Sequence, residues 1–155
     1  MAPPDADAER AARLFARLKT ELDSPPYHAF LKPVAESVNP QTGEVRIRVT
    51  YRPEFSGSPA QPMYHGGIIA ALIDLAGHAA VAVQTGRTAP TIDLRIDYLK
   101  MAGPSDLVIA AHVLRLGRSI ARADIQVRDA DDVLVAVGRG TFSTLQSIEA
   151  PSPPT

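Results

Sequence analysis

The residues best suited to chemistry lie close together. His65-Gly66-Gly67 opens a long apolar run, and Asp74 follows nine residues after the histidine. Two glycines at a helix start leave the first N–H groups bare and approachable, at the positive end of the helix dipole. Donors placed there hold an anion, or a carbonyl oxygen turning into one. The plainer alternative is that the glycines only permit a tight turn into the helix. Asp74 stands between Ile73 and Leu75, with apolar neighbours one turn away on either side. A carboxylate buried there must find partners or accept a raised pKa, and such groups concentrate at functional sites. A structural aspartate bonding a neighbouring chain is the competing reading. His78, one turn on, allows an Asp74–His78 pair on one face, and is equally a core or interface histidine. A metal held by His65, Asp74 and His78 is disfavoured because His65 lies too far along the helix, so no metal is expected. His28 and His112 stand in no constellation.

Composition narrows the field. A chain of 155 residues fits one domain. Sixteen Lys plus Arg against 17 Asp plus Glu give a net charge of −1, which argues against a nucleic-acid partner. The absence of cysteine removes thiolate nucleophiles, disulfides and thiolate-bound metals together. It is compatible with a cytoplasmic protein, the location expected here. The longest apolar run, Ile68 to Val83, is broken by Asp74 and His78 and is short for a membrane span, so no membrane role is expected. Met-Ala-Pro-Pro-Asp lacks the order of a secretory signal. Thirteen Arg against three Lys bear on the ligand, because the guanidinium fork suits phosphate oxygens. Arg118 is the strongest candidate, with Arg95 and Arg115 behind it; many of the others serve only solubility.

The elements that must position these residues follow from periodicity. Asp5 to Leu22 reads as a helix, with Ala8, Ala11, Ala12, Phe15, Leu18 and Leu22 on its apolar side and a solvated face of mixed charge opposite. Pro25-Pro26 stops it. Pro33 to Val38 and Glu44 to Arg52 read as paired strands, the second alternating Val45, Ile47, Val49, Tyr51 with charged residues. Pro53 to Met63 reads as an ordered loop. Gly66 to about Gln84 is apolar on nearly every side, the mark of a helix buried all round. Four strands follow: Thr91–Leu99, Leu107–Leu116, Ser119–Arg128 and Val133–Ser143. One curved antiparallel sheet wrapped around the long helix, an α+β arrangement, satisfies all of these. The division expected is residues 1–24 as N-terminal tail and helix, 25–145 as the domain, and 146–155 as a flexible C-terminal tail.

His65-Gly66-Gly67 with Asp74 resembles the hotdog-fold acyl-CoA thioesterases of the phenylacetate-degradation (PaaI-like) type, related to one lineage of 4-hydroxybenzoyl-CoA thioesterases. The resemblance continues through Thr91-Ile92-Asp93-Leu94-Arg95-Ile96-Asp97-Tyr98-Leu99-Lys100, Gly117-Arg118-Ser119 and Gly138-Arg139-Gly140-Thr141-Phe142, and covers roughly Pro25 to Thr144. It implies that Asp74 attacks the thioester carbonyl or activates water to do so. It implies that the Gly66 and Gly67 region gives backbone N–H to the carbonyl oxygen, that His65 shapes this turn and contacts the thioester, and that Thr91 helps place the water or the carboxylate. Gly117, Arg118 and Ser119 resemble the turn near the pantetheine and nucleotide of CoA. CoA enters as part of the substrate, and no other cofactor is implied. One position departs from the pattern: the family's Asn or Gln six residues before the histidine is Pro59 here, with Gln61 its nearest replacement.

Spacing adds a consequence. Gly66 and Asp74 are eight residues apart, about 12 Å along a helix. One carbonyl group cannot meet both within hydrogen-bond length. Two such helices antiparallel about a two-fold axis would bring Gly66 of one beside Asp74 of the other, so a homodimer, or a homotetramer built from it, is expected. Two other readings compete with an acyl-CoA thioesterase: a non-catalytic acyl-CoA-binding or regulatory hotdog domain, which Pro59 keeps open, and a hotdog hydratase or dehydratase, against which His-Gly-Gly speaks. The acyl group itself, aryl or medium-chain, leaves no separate mark in the sequence.

Overall fold

The computed structural model describes residues 4–145. Helix α1 (Pro4–Asp23) and the short α2 (Pro26–Leu31) precede strands β1 (Val34–Val38) and β2 (Val45–Val49). Helix α3 (Gly66–Thr85) follows, then β3 (Thr91–Tyr98), β4 (Leu107–Leu116), β5 (Ile120–Arg128) and β6 (Leu134–Ser143). The six strands form one antiparallel sheet in the order β1-β2-β4-β5-β6-β3, so β1 and β3 are its edges. Helix α3 packs across the inner face, against β2 to β6, and this is the expected α+β hotdog architecture.

Alternation decides which side chains meet the helix. Val45, Ile47 and Val49 of β2, Leu107, Ile109 and Ala111 of β4, and Ala121, Ala123, Ile125 and Val127 of β5 are all buried. The outer row beside them is charged: His112, Asp124, Arg139 and Arg95 lie side by side across β4, β5, β6 and β3. The Gly138-Arg139-Gly140 run of β6 has a packing reason. A Cβ at Gly138 would overlap Ile73 Cγ2, and one at Gly77 on the helix would lie 2.6 Å from Phe142 Cζ. Missing side chains on both sides let α3 settle onto the sheet at Ile73 and Gly77.

Several expectations need correction. Helix α3 is closely buried from Leu75 to Val83 apart from His78, but its first half carries an open stripe: Gly67 is exposed and Ile68, Ala70, Ala71 and Asp74 are only half-buried. Among the described residues no element covers that stripe, because β3 is an edge strand. Helix α1 buries Leu14, Leu18 and Leu22, four residues apart, while Ala8 and Ala12 face solvent. Its opposite side is not merely solvated, since Arg17 donates to the Val83 carbonyl at 3.0 Å and Glu21 meets His78 at 3.3 Å. α1 therefore packs on the domain as part of it. The prolines that stop α1 also start α2, with Pro26 at a first-turn position where no N–H is needed. The tail expected at 146–155 lies outside the described residues.

Candidate active site

Asp74 lies on the open stripe of α3, half-buried rather than enclosed. Its Oδ1 accepts a 2.6 Å hydrogen bond from the Thr91 hydroxyl. Strict alternation along β3 would put Thr91 on the outer face with Asp93, Arg95 and Asp97. The register slips instead: Thr91 pairs with Phe142 and Asp93 with Thr141, which leaves Ile92 as an extra, bulged residue. The bulge turns Thr91 inward to the helix, a common use of bulges beside functional sites. The Asp74–His78 pair does not form. His78 uses Nδ1 on the Ala89 carbonyl (3.0 Å) and Nε2 on Glu21 (3.3 Å), so it is a structural histidine joining α1, α3 and the segment before β3. His28 likewise bonds a carbonyl, that of Leu22. His65, Asp74 and His78 thus have three separate sets of partners.

The start of α3 is built from both sides. His65 is the N-cap, with extended backbone and its Nδ1 accepting the Gly67 N–H at 2.8 Å. Gly67 therefore does not offer its N–H to a ligand, contrary to the sequence expectation; the Gly66 N–H has no partner among the described residues. The chain leading in is anchored by Tyr64, whose N–H donates to the Ala102 carbonyl and whose hydroxyl donates to the Ser105 carbonyl at 3.0 Å. Burial among Tyr51 and Phe55, with the Asp106 charge nearby, pushes the Tyr64 phenol well above its usual range. Tyr98 was not singled out by the sequence reading. Its hydroxyl donates to the Gly66 carbonyl at 2.7 Å, and its ring covers Gly66. Its place as the last apolar residue of an alternating strand hid a polar contact behind a packing pattern.

The remaining candidates lie at three separate places, the β4–β5 turn, the middle of the outer face and the loop before His65. Gly117, Arg118 and Ser119 form the tight β4–β5 connection, closed by Gly117 N–H to Ile120 carbonyl at 2.8 Å and tied to β6 by Thr144. They line a cavity of about 380 Å³ with Arg115, Ile120 and Arg122. Arg115 and Arg122 are directly opposed in the ladder, and neither they nor Arg118 has a carboxylate partner among the described residues. Arg122 escaped the sequence reading because it looked like one more polar residue of an alternating strand. Arg95 is not brought to Asp74. It lies on the outer face, paired with Asp97 at 3.3 Å and lining a second cavity with His112, Asp124 and Arg139. There Arg139 holds Asp124 bidentately, at 2.6 and 2.7 Å, and lowers its pKa. Gln61 is exposed in the loop before His65, and its side chain bonds none of the other candidates.

Known proteins share this fold. A family model described as the thioesterase superfamily matches residues 62–136. An inferred esterase of Halobacterium salinarum is 35% identical over 148 residues, covering 88% of this chain and 93% of that protein. Acyl-coenzyme A thioesterase 13 of Homo sapiens is 34% identical over 80 residues, 50% of this chain and 57% of its own. Among solved structures, a thioesterase-superfamily protein superimposes with a TM-score of 0.80 at 32% identity, covering 85% of this chain and 98% of that one. The E. coli PaaI protein, from the phenylacetic acid degradation operon, shares the fold with a TM-score of 0.77 at 20% identity, covering 88% and 96%. The chain belongs to the thioesterase superfamily, and with it to the hotdog-fold thioester hydrolases.

Proposed function

We propose that the protein hydrolyses an aryl- or medium-chain acyl-CoA to the free acid and CoA, with Asp74 of one subunit and Gly66 of a second acting on one thioester. The observation that carries this reading is the Thr91–Asp74 hydrogen bond on the open stripe of α3. Thr91 holds one carboxylate oxygen and leaves the other free to act. The carboxylate either attacks the carbonyl carbon itself or takes a proton from an attacking water. Charge builds on the carbonyl oxygen, and the unpartnered Gly66 N–H at the positive end of α3 stabilises it. The intermediate collapses by breaking the C–S bond. In the water route the CoA sulfur leaves as thiolate and takes the proton that Asp74 had accepted; in the direct-attack route it also leaves as thiolate, and the water that then cleaves the acyl–Asp74 anhydride supplies its proton.

Two features support a paired site. Gly66 and Asp74 lie about 12 Å apart on one helix, too far for a single carbonyl group. The edge strand β3 and the loop after it expose Ile92 (59%), Tyr98 (53%), Leu99 (56%) and Met101 (68%) beside the open stripe. A second copy placed along β3 would satisfy the strand's unpaired backbone and bring the two α3 helices together. For the nucleotide, the Arg115–Arg118–Arg122 cluster offers three guanidinium groups to phosphate oxygens, and an anion between Arg115 and Arg122 relieves their mutual repulsion. Thr91, Phe142, Ala121 and Leu116 lie in one row across the sheet, so this cluster sits at the same end of the sheet as Thr91. A flexible pantetheine arm would bridge the two. The acyl-CoA thioesterase among the relatives supports the same substrate class.

Thiol release measured over a panel of acyl-CoAs tests the activity, with turnover expected for aryl or medium-chain members and its absence across the panel contradicting the reading. Mixed dimers test the sharing. Subunits carrying Asp74→Asn combined with subunits carrying Gly66→Val should regain one competent site, whereas no recovery above either parent contradicts it.

A further inference from the structure

The Gly66–Gly67 peptide unit is held at both ends. Its carbonyl oxygen accepts from the Tyr98 hydroxyl at 2.7 Å, and its N–H donates to His65 Nδ1 at 2.8 Å. The preceding unit is held at one end only: the His65 carbonyl accepts from Ile68 and Ile69 (3.0 and 3.3 Å), and the Gly66 N–H has no partner among the described residues. Glycine gives a ligand room to approach but leaves the backbone loose. The two outside contacts supply the stiffness that the glycines lack. We infer that His65 and Tyr98 are positioning residues, a clamp that fixes the Gly66–Gly67 peptide so that the Gly66 N–H is the single amide presented to the thioester oxygen.

The clamp has a chemical requirement. A ring nitrogen accepts only when it carries no proton, so His65 must be the neutral tautomer with its proton on Nε2. The exposed Nε2–H is then a second donor at the mouth of the site. Tyr98 acts from the other side. As the last residue of β3, on the strand that also carries Thr91, it ties the donor end of α3 to the element that orients Asp74. One edge strand thereby sets both halves of the catalytic apparatus. Its ring lies at ordinary contact distance, 3.5 Å, from where a Gly66 Cβ would be, so no close contact among the described residues demands glycine at position 66.

This inference rests on the proposed hydrolysis for its kinetic readout but not for its structural one. Tyr98→Phe keeps the ring and removes the hydroxyl. It should lower kcat about tenfold with KM and melting temperature little changed, a fraction of the 100- to 1000-fold that losing a whole oxyanion donor typically costs. His65→Ala should lower kcat at least as far, and His65→Asn, which restores an N-cap acceptor, should recover most of it. If the wild type and both variants turn over alike while Asp74→Asn is dead, the clamp is overturned and the hydrolase reading stands. If the wild type cleaves no thioester, that reading falls, and nitrogen-15 NMR of the His65 ring still decides the clamp. An unprotonated Nδ1 with a Gly67 amide protected from exchange, and loss of that protection in Tyr98→Phe, supports it. A proton on Nδ1, or a freely exchanging Gly67 amide, overturns it.

Discussion

Thr91 reaches the Asp74 carboxylate, at 2.6 Å, because β3 slips by one residue at Ile92. Without the slip its hydroxyl would face away from the helix, in the charged outer row. The contact predicts a graded series. Thr91→Val, nearly the same shape without the hydroxyl, should lower kcat about tenfold by freeing the carboxylate to turn, while Thr91→Ser should retain most activity. Steady-state thiol release decides it; equal rates for all three would show that the contact does not orient Asp74.

Gly66→Ala should separate folding from function. Its Cβ would meet the Tyr98 ring at 3.5 Å, an ordinary contact, and alanine is the better helix former by up to about 1 kcal/mol. Thermal stability should hold or rise, while thiol release falls at least tenfold because a methyl group stands where the carbonyl must approach. Unchanged turnover would move the oxyanion contact elsewhere.

Gly138→Ala should do the reverse. The new methyl overlaps Ile73 Cγ2 at a fully buried position, and overpacking of this kind costs about 1–3 kcal/mol. A lowered denaturation midpoint checks it. A midpoint equal to that of the wild type would mean that α3 has slack against β6.

Much of this was legible in the sequence. The alternation along the strands and the long apolar run of α3, broken only by Asp74 and His78, place β2 to β6 and α3 to within about three residues at either end, because each must bury one face or most of its surface. His65, Gly66 and Asp74 stood out by type and spacing, and Thr91 through the family resemblance. What escaped was whatever depends on a partner element. The bulge at Ile92 is invisible because bulged and regular strands share one alternating pattern. The Tyr98 contact is invisible because an apolar-face tyrosine reads as core. Gly67 looked like a donor until the fold brought His65 back over it. Asp74 looked enclosed because its neighbours along the helix are apolar, whereas it stands on the open stripe of α3 and the β3 that holds its partner Thr91 is an edge strand.

Tyr64 gives the fold an alkaline limit. Its folded pKa is raised above the unfolded value, so folding favours the neutral phenol. That contribution is whole below about pH 10, the ordinary phenol range, and is lost as pH rises above it, where only the unfolded chain ionises freely. Tyr64→Phe should cost about 1 kcal/mol at neutral pH through the lost bond to Ser105. Its stability should also fall less steeply above pH 10 than that of the wild type. Parallel curves in denaturant titrations at several pH values would contradict the assignment.

The Asp74 carboxylate carries the proposed hydrolysis. Asp74→Asn keeps the size and an oxygen for Thr91 while removing the base and nucleophile. At saturating acyl-CoA, with folding checked by circular dichroism, its thiol-release rate should fall at least about 100-fold below the wild type. A folded Asp74→Asn protein that releases thiol at the wild-type rate would contradict the mechanism.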